Sequence, residues 1–141
     1  MVCAALALFF QSANKLEETT VFPVIVVTGE RAEPGGHPVI KVSVLYANHE
    51  GATFDMDYYC ARHMPMVQRL LGTALKGVAV EQGLGGLLPG SPPAFLAMGH
   101  LVFDSRQAFQ TAWAPHAAEI VNDVPKYTNI QPTILISEIR L

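Results

Sequence analysis

The sequence predicts an α+β fold in which an antiparallel sheet carries two helices on one face. Three observations predict it. From Val39 onward, strand-like alternation and helix-like spacing follow each other as strand, helix, strand, strand, helix, strand. The two helical stretches echo each other: Phe54-Asp55 and Phe103-Asp104 open them, and each holds a histidine close to a proline, His63 near Pro65 and Pro115 beside His116. Finally, the last two strands are apolar on both faces, so the sheet needs cover on the side away from the helices.

The elements follow in order. Val39–Tyr46 alternates, with Ile40, Val42, Val44 and Tyr46 on one face and Lys41, Ser43 and Leu45 on the other. Asn48 to Thr53 reads as a turn. Asp55 suits an N-cap, because its carboxylate can accept from first-turn amides. The helix after it carries Met56, Tyr59, Cys60, His63, Val67, Leu70 and Leu71 at helical spacing, so His63 should look inward. Pro65 has no N–H for the carbonyl of Ala61 and disfavours helical geometry at Met64, which predicts a break beside that histidine.

Leu75–Gly83 reads as the second strand, Gly83–Pro93 as a Gly/Pro-rich loop and Ala94–Phe103 as the third strand. Asp104 and Gln107 fit a capping box for the second helix. Its stripe runs Phe109, Ala112, Trp113, His116, Ile120 and Val124. Thr133–Arg140 closes the sheet. The arrangement is the split-βαβ, ferredoxin-like one. Phe95, Ala97, Leu101 and Phe103 share one face of the third strand, and Leu96, Met98 and Val102 the other. Ile134 and Ile136 oppose Leu135 and Ile139 on the fourth. The economical cover for the second face is another copy of the chain, so a homodimer is expected.

Composition narrows the function classes. With 141 residues the chain holds one domain, read as residues 39–141, behind an extension of residues 1–38. A net charge of −3 with 15% charged residues offers no footprint for nucleic acid or an anionic membrane. No stretch approaches the length of a membrane-spanning helix. Cys3 and Cys60 do not read as a disulfide pair, which suits a reducing, cytoplasmic setting. Cys3 to Phe10 resembles a signal-peptide core without a basic start, and export is the lesser expectation. Val21 to Val27 has the pattern of a stray strand and Gly29 to Pro38 is breaker-rich. The extension is expected to be disordered or to precede a true start at Val39, since valine can be a GTG start codon.

Among the chemistry-bearing residues, His63 and Tyr59 lie four apart on one helix face and can line one cavity. An imidazole, with an ordinary pKa of about 6.5, exchanges protons at neutral pH. A phenol beside it can orient a substrate oxygen. Tyr58 sits about 100° round the helix and points to the rim or the dimer contact. His116 is the second candidate for the pocket. His100 belongs to the dimer face if Leu101 and Phe103 face the helices. Asp123, Tyr127 and Asn129 fall in the turn that Pro125 forces after the second helix, where they close one end of the pocket or make the turn. The Gly83–Gly90 stretch lacks the third glycine of a dinucleotide turn and opens no helix. With no metal-ligand spacing either, no cofactor and no metal are expected.

The strand order, the paired helices, the segment F-D-M-D-Y-Y-C-A-R-H-M-P from Phe54 to Pro65, and the stretch from Pro115 to Ile130 together resemble the EthD family. The resemblance covers about Val39 to Leu141 and implies the dimeric α+β barrel, in which two ferredoxin-like sheets face each other. EthD proteins are named for a role in degrading ethyl tert-butyl ether beside an oxygenase. Related barrels include cofactor-free monooxygenases, polyketide cyclases, muconolactone isomerases and haem peroxidases. Those activities reside in different sites on one fold, so the resemblance carries fold and not reaction. Cys60 and Arg62 depart from the expected surroundings of the histidine.

Two functions follow. One is a cofactor-independent oxidoreductase, cyclase or isomerase acting on a small hydrophobic or aromatic, oxygenated molecule. His63 would be its acid or base, Tyr59 its orienting hydroxyl and His116 a second anchor. The other is a non-catalytic binder or accessory protein for such a metabolite in a degradation pathway. Convergence of His63 with another polar group favours the first, and a dry cavity the second.

Overall fold

Alternation along the first strand decides the architecture. In the computed structural model, which describes residues 39–141, β1 (Ile40–Ala47) buries Ile40, Val42 and Tyr46 on one side. It lies between β3 (Phe95–Phe103) and β4 (Thr133–Glu138), with β2 (Leu75–Gln82) outside β3, giving the order β2-β3-β1-β4. Every pairing is antiparallel. Helices α1 (Met56–Tyr58), α2 (Met64–Leu71), α3 (Arg106–Trp113) and α4 (Ala117–Asp123) complete the expected ferredoxin-like βαββαβ chain. The expectations for residues 1–38, including Cys3 and the stretch Val21 to Val27, lie outside the described residues.

Register settles which face is which. Val42 pairs with Leu101 and Ile136, and Val44 with Gly99 and Ile134; these residues pack in or against the helix-side core. One residue along, Ser43 pairs with His100 and Leu135, whose side chains point to the opposite face because strand neighbours alternate. His100 therefore sits on the open face, where its Nδ1 is 2.8 Å from Ser43 Oγ and its Nε2 is 3.7 Å from Glu81. Leu135 remains 38% exposed and Ile139 39%, so this face carries apolar surface left open by the described elements.

Four local expectations need correction. Pro65 does not break the helix, and Met64 keeps helical dihedrals of −64° and −40°. Instead the chain widens into a π-helical turn over Tyr59–His63, in which the Met64 N–H reaches back five residues to the Tyr59 carbonyl. The wider turn accommodates the proline while the helix runs on as α2. The inserted residue also shifts the helical phase: Tyr59, His63 and Met64 are buried, whereas Cys60 is exposed rather than on the inner stripe. The second helix is capped by Ser105, whose hydroxyl accepts from the Ala108 amide, and not by Asp104. Its stripe is interrupted as well, because the chain leaves the helix after Trp113 and resumes at Ala117.

Candidate functional site

The π-helical turn sets the site. Burying Tyr59 and His63 on consecutive turns stacks their rings 5.3 Å apart and 15° from parallel. Single-turn widenings of this kind recur where a helix carries function. Asp55 anchors the start, its carboxylate accepting from the Tyr58 amide at 2.9 Å. Beneath Tyr59, β3 contributes Gly99, where a Cβ would overlap the Tyr59 hydroxyl. Only glycine lets that ring lie so close to the sheet.

The end of α4 and the segment after it supply the partners. Its tie to the start of α1 is polar and dense. The Asp55 amide donates to the Tyr127 carbonyl at 2.7 Å, Thr128 Oγ1 donates to the Thr53 carbonyl at 2.7 Å, and the Asn129 side chain spans Thr53 and Gly51. These bonds hold Asp123 and Tyr127 against His63. Asp123 Oδ2 lies 2.9 Å from His63 Nδ1, and both side chains are over nine-tenths buried. The other carboxylate oxygen accepts from the Tyr58 hydroxyl at 3.1 Å and from Lys126 Nζ at 2.9 Å. On the opposite side of the imidazole, Tyr127 Oη is 3.4 Å from Nε2 and 2.8 Å from the Tyr46 hydroxyl.

Charge follows geometry. Burial is the largest influence on His63 and holds its pKa below the ordinary value, although the bond and charge of Asp123 pull the other way. His63 is therefore neutral at pH 7. For Asp123 burial also acts most strongly, upward, but hydrogen bonds from His63, Lys126 and Tyr58 together outweigh it and hold the carboxyl below its usual range. An ionised Asp123 fixes the neutral imidazole as the Nδ1–H tautomer, leaving Nε2 as an acceptor. Burial and neighbouring phenols raise the pKa of Tyr46 and Tyr59, so both remain protonated.

Part of this constellation lines a cleft of about 470 Å³, counting the space at its mouth, whose interior is about 40 Å³. His63, Tyr59, Tyr46 and Tyr127 meet there, with Trp113 and Leu101 among the apolar walls. Of the residues singled out in the sequence, His63 and Tyr59 come together. His116 does not join them; it stands half-buried at the N-cap of α4, outside the lining. Asp123 and Tyr127, left open between pocket and turn, are the histidine's two partners. For Tyr46 the sequence gives only a shared strand face with Ile40, Val42 and Val44. Among the described residues, no three of His, Cys, Asp and Glu gather as a metal-binding group, and no helix is long and apolar enough to cross a membrane.

Fold and site define a small α+β protein with a buried Asp–His–Tyr constellation between helices and sheet. The EthD domain matches residues 50–131, and the chain belongs to the EthD family. An EthD-like protein of Ralstonia eutropha JMP134 is 48% identical, with a TM-score of 0.72 over 74% of this chain and 95% of that one. An ethyl tert-butyl ether d (EthD) family protein of Bacillus halodurans C-125 is 20% identical and shares the fold, with a TM-score of 0.53 over 72% of this chain and 99% of its own. No curated protein matches.

Proposed function

We propose that this chain is a cofactor-independent enzyme that moves a proton on a small, oxygenated, hydrophobic molecule, with His63 as general base and then acid. The observation that carries this reading is the pairing of His63 Nδ1 with Asp123 at 2.9 Å, with Nε2 on the opposite side beside the Tyr127 hydroxyl and both residues lining the cleft. A carboxylate behind an imidazole orients it, fixes its tautomer and stabilises the imidazolium formed when it takes a proton. A simple binder of apolar metabolites has no use for that pair, whose buried carboxylate costs several kcal/mol before its hydrogen bonds offset it. The largely apolar walls select a hydrophobic substrate. Cyclisation, isomerisation and oxygenation of an activated substrate all begin with such a proton transfer.

The working form we propose is a homodimer joined through the open sheet face, where Leu135 and Ile139 are exposed among the described residues. Turnover of small carbonyl and phenolic compounds by the wild type and by His63→Gln tests the enzymatic reading. A compound converted by the wild type should be converted about 10²–10⁴-fold more slowly by a variant that still folds. Equal turnover by both would remove His63 from the chemistry.

A further inference from the structure

Two tyrosine hydroxyls at the cleft, those of Tyr46 and Tyr127, are ordered by their own hydrogen bonds. His63 gives its Nδ1–H to Asp123, so Nε2 can only accept, and the hydroxyl facing it is that of Tyr127. If Tyr127 donates to Nε2, the 2.8 Å bond between Tyr46 and Tyr127 must be donated by Tyr46. Tyr59, whose ring centroid is 5.8 Å from that of Tyr46, packs behind that pair. The protons of Tyr46 and Tyr127 then both point toward the same spot beside Nε2. Successive bonds of one sense polarise each other, so the last donor is stronger than an isolated phenol.

Building on His63 as the base proposed above, we infer that this chain of hydroxyls is an oxyanion site and that the substrate is an enolisable carbonyl compound. His63 Nε2 takes a proton from the carbon beside the carbonyl. The C–H electron pair becomes a C=C bond, and the carbonyl π pair moves onto oxygen. Tyr127 turns its hydroxyl from Nε2 to that oxygen, with Tyr46 behind it as a positioning residue. Return of the proton from the imidazolium to the same or another carbon of the enolate restores neutral His63, so nothing is oxidised or reduced.

Two features favour a substrate that is neutral on arrival. No Lys or Arg is among the described residues lining the cleft, whereas the Asp123 carboxylate lies just behind the imidazole. A carboxylate or phosphate would enter without a cation to meet it. An enolate forms only as His63 becomes positive, so the charges arise in pairs. An interior of about 40 Å³ holds a few atoms, enough for a carbonyl and its neighbouring carbon, with the rest of the molecule in the cleft.

A phenolate mimics the enolate, with its charge on an sp² C–O group, and 4-nitrophenol reports its ionisation by colour. The wild type should bind it with a pKa lowered by about one unit or more. Tyr127→Phe and Tyr46→Phe should each weaken binding of the anion about tenfold while leaving affinity for neutral nitrobenzene unchanged. A structural tyrosine would alter both probes alike. His63→Gln should still bind the anion above the free pKa of the phenol but lose ionisation of bound phenol below it. If ionisation survives in His63→Gln, the oxyanion site stands and the base assigned above is wrong. If the wild type binds both probes equally and Tyr46→Phe changes neither, the oxyanion site is overturned whatever His63 does. Failure to bind 4-nitrophenol at millimolar concentration overturns it too.

Discussion

His63 and Asp123 stand 60 residues apart in the chain, yet Nδ1 and Oδ2 lie 2.9 Å apart in the interior. One comes from the π-helical turn of the first helical stretch and the other from the last residue of α4. Asp123→Asn keeps the shape and an acceptor but removes the charge. Because Asp123 holds the His63 pKa up against burial, the imidazole should become harder still to protonate. Stability should fall by about 1–3 kcal/mol, and turnover by a factor on the order of 10² or more, read from denaturant melts and rates. Unchanged stability and turnover would show that the pair does not act as a unit.

Acid should act on both partners in the same direction. The folded pKa of His63 is below its unfolded value, so the unfolded chain binds the proton first. Stability from this group is fully present above about pH 6.5 and is lost as pH falls through the lower folded pKa. Asp123, also lowered, contributes above its unfolded pKa of about 3.9 and loses that contribution as pH falls through its folded pKa. Melting midpoints should therefore hold near neutrality, decline below about pH 6.5 and decline again near pH 4. A midpoint that rises on acidification to pH 5 would contradict the lowered pKa of His63.

Gly99→Ala places a methyl group on the Tyr59 hydroxyl. Overpacking of this kind costs about 1–3 kcal/mol. Tyr59→Phe removes the obstructing oxygen, so the double variant should recover part of that loss in a double-mutant cycle. Simple additivity would mean that the strand and the ring do not press on each other.

Much of the fold was legible because each strand carries its own instructions. The alternation Ile40, Val42, Val44, Tyr46 assigns a face without reference to any partner, and the spacing of Tyr59 and His63 does the same for a helix. Partnership is not encoded in that way. Asp123 and Tyr127 sit in a turn-forming sequence around Pro125, and nothing local says which side chain they meet. Cys60 and Met64 were misplaced because Pro65 widens the helix, and a fixed 3.6-residue period cannot register an inserted residue. Asp104 and Ser105 are both capable caps. The extended backbone at Ser105, with φ −162° and ψ 164°, decides between them. His116 belonged to a stripe drawn across a break that only the tertiary packing reveals.

Leu135→Glu addresses the open face. In a dimer packed through that face, the new carboxylate would be buried without a cation, at a cost of about 3–5 kcal/mol. Sedimentation should find a wild-type dimer at micromolar concentration and a folded monomer for the variant. A wild-type monomer would require another cover for Leu135 and Ile139.

The most direct measurement is the ¹⁵N spectrum of the His63 ring as a function of pH, because the base we propose must be neutral, oriented and available. The expected result is a neutral imidazole carrying its proton on Nδ1, with Nε2 unprotonated and a midpoint below about 6.5, lower again in Asp123→Asn. A ring protonated on Nε2 at neutral pH, or one that titrates at the ordinary value and ignores Asp123→Asn, would contradict the assignment of His63 as the proton-transfer centre.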